Sequence, residues 1–136
     1  LRELRLHRHF GLSALCMHEF GGGHGAGDPL IVMLEILNPA QLERARVTGR
    51  IVADILHGLK ARCAAGTNLL DVDAWAKAAI LEAGAASCYV DYAPSFGRGP
   101  FGHYICTGVN DAVLHGMPGD YRLVDGDLLS LDLAIV

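Results

Sequence analysis

From Asn38 onwards, apolar residues recur at steps of three and four, which is the spacing of one face of an α-helix. Asn38-Pro39-Ala40-Gln41 is a typical helix start, because the asparagine caps free amides, proline suits the first turn and the glutamine can reach back. We expect this helix to end at Gly66. Its apolar positions are Leu42, Ala45, Gly49, Val52, Ile55, Leu56 and Leu59.

A second helix is predicted from Asn68, with Asp71 three residues further on, to Gly84. The apolar residues that it carries are Ala74, Trp75, Ala78 and Leu81. Both helices are most simply interpreted as scaffold.

Shorter extended segments follow, separated by turn signals at Asn110-Asp111, Pro118-Gly119-Asp120 and Asp125-Gly126. The predicted strands are Tyr89–Tyr92, His103–Val109, Ala112–His115 and Leu128–Val136. Helices followed by strands predict an α+β fold, in which two helices pack on an antiparallel sheet.

Residues 1–32 differ from the rest of the chain, because they show no convincing helical or strand period and are rich in histidine and in glycine between Gly21 and Gly27. Their histidines have no usual metal-ligand spacing, so a flexible extension is favoured over a metal site. A further hypothesis makes Met33 the true start, and residues 1–32 an extension or an artefact of upstream translation. The intact mass of the native protein tests it. Residues 33–136 then form one folded domain.

Composition narrows the class of protein. Of the 136 residues 51% are hydrophobic and 19% are charged, as in a globular domain, and the net charge of −4 gives no basic patch for nucleic acid or an anionic membrane. No apolar run is long enough to span a bilayer. The cysteines (Cys16, Cys63, Cys88 and Cys106) are far apart and favour reduced thiols in a cytoplasmic protein.

Asp132 is the most informative residue of the last predicted strand. One face of that strand is wholly apolar, and the other places Asp132 among residues fit for burial. Leaving such a carboxylate ionised and unpaired would cost several kcal/mol, so it needs a cation, a hydrogen-bonding network or water. A metal ion, an arginine partner and an edge strand facing solvent all remain open from the pattern alone.

His115 is the second candidate, because it lies where a predicted strand gives way to a turn. It could donate a hydrogen bond to a substrate carbonyl or amide, although a lone histidine is more often a plain hydrogen-bonded residue. His103 is similar in type but has weaker context.

The stretch Val113-Leu114-His115-Gly116-Met117-Pro118, with Leu123-Val124-Asp125-Gly126-Asp127 and Leu128-Leu129-Ser130-Leu131-Asp132, resembles the signature of type I methionine aminopeptidases. The first predicted helix and Asn110-Asp111 also fit, and the resemblance covers about residues 35–136 in continuous register. The segment Tyr89 to Pro100 departs from the commoner bacterial loop.

The resemblance implies the N-terminal half of a pita-bread fold and the removal of the initiator methionine from nascent polypeptides. It implies two divalent metal ions (Co, Mn, Fe or Zn), with Asp132 as a metal ligand and His115 as a substrate-binding residue. Two such ions would activate a shared water and stabilise the tetrahedral intermediate. The partners implied are N-terminal methionine peptides and the ribosome. Tyr89, Tyr92 and Phe96 or Phe101 are candidates for the methionine pocket, or for plain core packing.

The family's remaining ligands, an aspartate, a histidine and two glutamates, lie beyond Val136 in this register. We therefore expect the 136-residue chain to be an incomplete, inactive and poorly soluble fragment. One alternative is a truncated, non-catalytic relative that binds peptides or proteins. Another keeps the fold but changes the substrate, as in proline-directed aminopeptidases or creatinase-like relatives; the His-Gly-Met-Pro context favours the methionine enzyme.

Overall fold

The computed structural model describes residues 36–93, 95, 97 and 99–136, together with the backbone of residues 5–7. The elements in chain order are β1 (Arg5–His7), α1 (Pro39–Arg62), α2 (Leu69–Glu82), β2 (Cys106–Val109) and β3 (Leu128–Asp132). The hypothesis that residues 1–32 form an extension lies, apart from β1, outside the described residues and stays a prediction.

The start of α1 is the one that the sequence predicts. The Asn38 side chain accepts a hydrogen bond from the Gln41 amide at 2.9 Å, and the Gln41 side chain accepts one from the Asn38 amide at 2.8 Å. The predicted end at Gly66 is wrong, because the helix ends at Arg62. Cys63 is the C-cap, and Gly66, with a φ of 92°, lies in the connection to α2, where it donates its N–H to the Leu123 carbonyl.

The second helix begins where predicted but buries a different stripe. Asn68 caps α2 by accepting from the Leu70 amide, and its side-chain amide donates to Asp120 at 2.6 Å. The buried residues of α2 are Leu69, Val72, Ala76 and Ile80. By contrast, Ala74, Ala78 and Leu81 are exposed and Trp75 is half-buried. Because most residues of α2 are apolar, the sequence alone does not determine which of them are buried. The position of the sheet determines it.

The sheet has the strand order β1-β3-β2, which places β3 in the centre. The predicted antiparallel pairing is confirmed for β2 and β3, where Cys106 lies opposite Asp132 and Gly108 opposite Ser130. The third strand is a difference from the prediction, because β1 pairs with β3 in parallel. The sheet is therefore mixed.

Two predicted strands are turns. Tyr89–Tyr92 is closed by a hydrogen bond from the Tyr92 amide to the Tyr89 carbonyl, and Ala112–His115 contains consecutive left-handed residues. The other two strands are shorter than predicted, because His103 to Ile105 precede β2 and the last strand ends at Asp132. Beyond it, Ile135 forms an isolated antiparallel bridge with Ser87.

The core lies between the helices and one face of β3. Leu129 is fully buried, and its alternate neighbours Leu131, Leu133 and Ile135 are nearly so. The cluster that they form with the helices includes Ile55, Leu59, Val72, Ala76, Ile80, Ile105 and Leu123. The predicted alternation is thus confirmed over Leu128–Asp132, where the opposite face, which includes Ser130 and Asp132, is half-buried.

Within the described part of the chain, no helix has the length and apolar character needed to cross a membrane.

Candidate functional site

Asp132 occupies the last position of β3, on the face that points away from the core. Its side chain is half-buried, and the buried Cys106 lies opposite it in the register of β2 and β3. Because Asp132 is half-buried and β3 is the central strand, the interpretation that Asp132 faces solvent from an edge strand has no support.

The partner of Asp132 is a neutral phenol. The Tyr89 hydroxyl donates to Asp132 Oδ2 at 3.0 Å from the turn that precedes the sheet. No ion pair of the described residues includes Asp132, so the arginine-partner interpretation has no support there. A half-buried carboxylate with hydrogen bonding but no compensating cation is a group that can accept a positive charge.

Two weak acids beside Asp132, the Tyr89 phenol and the Cys106 thiol, have raised pKa values. Burial, followed by the charge of Asp132 and the hydrogen bond to it, raises the pKa of the Tyr89 phenol well above its usual range. Burial and the same carboxylate raise the pKa of the Cys106 thiol to about 11. At neutral pH the phenol is therefore a donor to Asp132, and the thiol is uncharged and a poor nucleophile.

A series of contacts connects Tyr89 to α2. The ring centroids of Tyr89 and Phe101 are 6.0 Å apart, and those of Phe101 and His103 are 5.7 Å apart, both edge to face. Asp73 on α2 then contacts His103 Nδ1 at 3.0 Å and accepts from the Tyr104 amide at 2.7 Å. Through these contacts α2 supports the segment beside Asp132.

Asp73 is a supporting residue that could not be identified from the sequence. The helix α2 carries several acidic residues, and nothing in the sequence around Asp73 indicates that its side chain contacts His103, 30 positions further along the chain. His103, the weaker candidate from the sequence, contacts Asp73 rather than Asp132.

His115 lies in the turn that follows β2, and we define residues 110–116 as the His115 loop. Leu114 and His115 have φ values of 57° and 45°, in the left-handed region that costs a non-glycine residue on the order of 1–2 kcal/mol. The His115 side chain is exposed and has no hydrogen bond or ion pair with any residue that the structure describes. The imidazole is therefore free to meet another molecule.

Close backbone contact holds the end of the His115 loop against β2. The Thr107 amide donates to the Gly116 carbonyl at 2.7 Å, and a Cβ at Gly116 would collide with the Thr107 carbonyl oxygen. A Cβ at Gly108 would lie only 2.8 Å from the Ala112 carbonyl oxygen. Glycine is thus required at both positions by the close approach of the two segments.

A buried carboxylate holds the beginning of the same loop. Asp127 Oδ1 accepts from the Asn110 side-chain amide at 2.8 Å, and Oδ2 accepts from the Val124 amide and the Tyr121 hydroxyl at 2.9 Å each. Asn110, with a φ of 58°, also accepts from the Leu128 amide at 3.0 Å. The donors, foremost the Val124 amide and then Asn110, lower the pKa of Asp127.

The side chains that the structure describes supply only part of a metal site. Carboxylate oxygens suit hard or borderline divalent ions, and Asp132 provides one such group, which forms no ion pair with any residue that the structure describes. Among the described residues, however, no group of three or more histidine, cysteine, aspartate or glutamate side chains could hold an ion. Asp132 is therefore suited to be one ligand, and the described residues do not complete the site.

The structure brings Asp132, Cys106 and Tyr89 together, and it places His115 in the loop that returns onto β2. No contact joins His115 to Asp132 among the described residues. Of the aromatic candidates for a pocket, Tyr89 and Phe101 lie side by side, Tyr92 is exposed, and Phe96 lies outside the described residues.

Comparison with known proteins gives a family match. The sequence profile described as metallopeptidase family M24 matches residues 43–136, which is most of the chain.

Individual relatives are similar over part of their length. The methionine aminopeptidase of Mycoplasma capricolum subsp. capricolum is 34% identical over 100 residues, covering 74% of this chain and 38% of the relative. That of Clostridium perfringens is 33% identical over 105 residues, covering 76% and 39%. The chain thus spans less than two fifths of the length of these curated relatives.

A solved structure of a methionine aminopeptidase from Streptococci superposes with a TM-score of 0.70 at 23% identity. The match covers 76% of this chain and 36% of that protein. The likeness shows a shared fold, and the α+β arrangement predicted from the sequence is confirmed.

Proposed function

Because this chain belongs to metallopeptidase family M24, we propose that it supplies the first metal ligand and a substrate-contacting residue of a peptidase that removes N-terminal methionine. The observation that carries the proposal is Asp132, a half-buried carboxylate on the central strand whose partner is a phenol and which has no cationic partner among the described residues. The relatives that resemble the chain are methionine aminopeptidases, which supports this substrate class.

Asp132 would hold one metal ion of the centre through its carboxylate oxygens. When bound, divalent ions supply an activated water and stabilise negative charge that develops on a scissile carbonyl. The Tyr89 phenol, which donates to one carboxylate oxygen, would fix the orientation of the ligand and leave the other oxygen available. The identity of the ions, and their number of two, remain predictions.

His115 would contact the substrate. Its exposed imidazole can donate a hydrogen bond to a peptide carbonyl or amide, and it has no competing partner among the described residues. Tyr89 and Phe101 would contribute to an apolar site for the methionine side chain, since their rings adjoin the carboxylate. The predicted contact with the ribosome stays a prediction.

Substitution of Asp132 in the natural gene product tests the assignment. Asp132→Asn keeps an acceptor for Tyr89 but removes the charge, so we expect loss of bound manganese. We also expect a decrease of more than about 100-fold in methionine release from Met-Ala-Ser, because partners of metal ligands alone are worth about 10–100-fold. Asp125→Asn, at an exposed turn, is the control. Unchanged metal content and hydrolysis in Asp132→Asn would reject the assignment.

We also propose that residues 1–136 alone are inactive, because Asp132 is the single ligand candidate among the described residues and no group of three or more of them could hold an ion. The purified chain, supplied with manganese, is expected to release no methionine from Met-Ala-Ser. Chelator-sensitive release by this chain would contradict the proposal.

The second candidate is a peptide-binding module without catalysis. Two observations on the described residues favour it: His115 is exposed and has no partner among them, and they contain no complete set of metal ligands. Calorimetric titration with Met-Ala-Ser distinguishes it, because a binding module takes up the peptide without metal and leaves it intact. Comparing Met-Ala with Ala-Pro peptides separates the methionine enzyme from its proline-directed and creatinase-like relatives.

A further inference from the structure

The His115 loop combines a strained backbone with an exposed histidine. Leu114 and His115 are both left-handed, and neither is a glycine, so the backbone costs free energy unless its surroundings compensate for it. Residues in such conformations persist where the neighbouring structure over-determines them, and they are concentrated at functional sites. The groups that hold this loop therefore bear on what His115 can do.

Each end of the loop has its own attachment. At the far end, the Thr107 amide binds the Gly116 carbonyl. At the near end, the Asn110 side chain donates to Asp127 and accepts from the Leu128 amide, while the Asn110 backbone amide donates to the Leu128 carbonyl at 2.8 Å.

Asp127 is the rigid part of this attachment. It is buried, and its other oxygen accepts from the Val124 amide and the Tyr121 hydroxyl, so both carboxylate oxygens have fixed donors. A carboxylate held by three donors cannot turn easily, and it gives the Asn110 amide one defined position. Asn110 in turn sets the direction in which the chain leaves β2.

We propose that Asn110 and Asp127 are positioning residues for His115: their amide–carboxylate bond holds the strained loop so that the imidazole is presented in one orientation to a bound peptide. The inference rests on the proposed function, because it assumes that His115 contacts the substrate. It adds a pair of residues that act through His115 and do not themselves touch the substrate.

Exchanging the two side chains tests the bond itself. Asn110→Asp alone sets two carboxylates against each other, and Asp127→Asn alone removes the charge that binds the amide. In the double variant Asn110→Asp with Asp127→Asn, the new amide can donate to the new carboxylate, which still accepts from Leu128. The remaining amide oxygen can accept from Val124 and Tyr121. The interaction is thus restored with its polarity reversed.

The first measurement is hydrogen exchange of the Thr107 amide, which reports whether the loop stays seated on β2. In the natural gene product we expect Asn110→Asp to accelerate this exchange by about tenfold or more, in line with the loss of a hydrogen bond to a charged group. The double variant is expected to return the rate to within about threefold of the parent, allowing for imperfect reconstruction of the pair. A double variant that exchanges as fast as Asn110→Asp would overturn the proposal.

The second measurement is steady-state hydrolysis of Met-Ala-Ser. We expect Asn110→Asp to lower kcat/KM by about tenfold, as His115→Ala does, and the double variant to recover it. His115→Ala should leave the Thr107 exchange rate unchanged. If His115→Ala lowers kcat/KM but Asn110→Asp accelerates exchange without any effect on kcat/KM, the pair is merely structural and the proposal is wrong.

Failure of the proposed function gives a different result. If the parent protein releases no methionine, or if His115→Ala hydrolyses the peptide normally, the substrate role of His115 fails. The exchange measurements still decide whether the Asn110–Asp127 bond holds the loop.

Discussion

The two faces of β3 differ in the interactions that stabilise them. On one face Leu129 and Leu131 are buried against the helices, in a cluster made of apolar side chains. On the other face Asp132 is half-buried, with the Tyr89 hydroxyl as its partner. The core face is stabilised by burial, which needs no specific partner, whereas the site face depends on single hydrogen bonds whose partners come from distant segments.

The largest effect is expected on the core face. Leu129→Ala should lower the free energy of unfolding by about 2–5 kcal/mol, because it leaves a cavity at a fully buried position. Ser130→Ala, the next residue on the opposite face, should change it by less than about 0.5 kcal/mol. Urea denaturation of both variants measures the difference, and equal effects would remove the distinction between the faces.

A smaller effect is expected where α2 supports the site face. Asp73→Ala removes the acceptor of both His103 Nδ1 and the Tyr104 amide, so it should cost about 1–3 kcal/mol. Asp54→Ala, an exposed acid of α1, is the matched control. Equal midpoints for the two variants in denaturant would show that Asp73 does not support the segment.

The phenol beside the carboxylate should contribute less. Tyr89→Phe deletes one half-buried hydrogen bond and should lower the free energy of unfolding by about 1 kcal/mol. Tyr92→Phe, which alters an exposed ring, is expected to have no effect within error. If neither substitution lowers the free energy of unfolding, the hydrogen bond from Tyr89 to Asp132 does not stabilise the fold.

The smallest effect is expected on the loss of stability at acidic pH. The pKa of Asp127 is lowered in the fold, so its carboxylate stabilises the native state fully above the unfolded value of about 3.9. This contribution is lost as the pH falls below that value and through the folded pKa. Stability measured between pH 6 and pH 2 should therefore decline less in Asp127→Asn than in the parent. An identical decline in both would show that Asp127 is not responsible.

Local patterns predicted the parts of the fold that depend on neighbours in sequence. The cap of α1 formed as its residues indicate, and the alternation along β3 correctly separated the core face from Asp132. The predicted end of α1 was wrong, since the helix ends at Arg62, and the segments Tyr89–Tyr92 and Ala112–His115 turned out to be turns. Hydrogen bonds to other segments accompany each of these differences: Gly66 donates to Leu123, Phe101 donates to Tyr92, and Thr107 donates to Gly116. Local propensity does not include such contacts.

The candidate site divides in the same way. Asp132 and His115 could be chosen from the sequence because an acid in an apolar strand and a histidine before a Gly-Met-Pro turn are local signals. The partners Tyr89 and Asp73 could not, because they lie 43 and 30 positions from the residues that they contact. No spacing rule relates such positions.

The sequence by itself determined which residues favour helix, which strand face is apolar, and which side chains can carry chemistry. The tertiary structure decided which stripe of α2 is buried, that a phenol is the partner of Asp132, and that an Asn110–Asp127 bond holds the His115 loop. The physical reason is that capping and side-chain periodicity act over a few residues. Hydrogen bonds between distant segments exist only after the chain has packed.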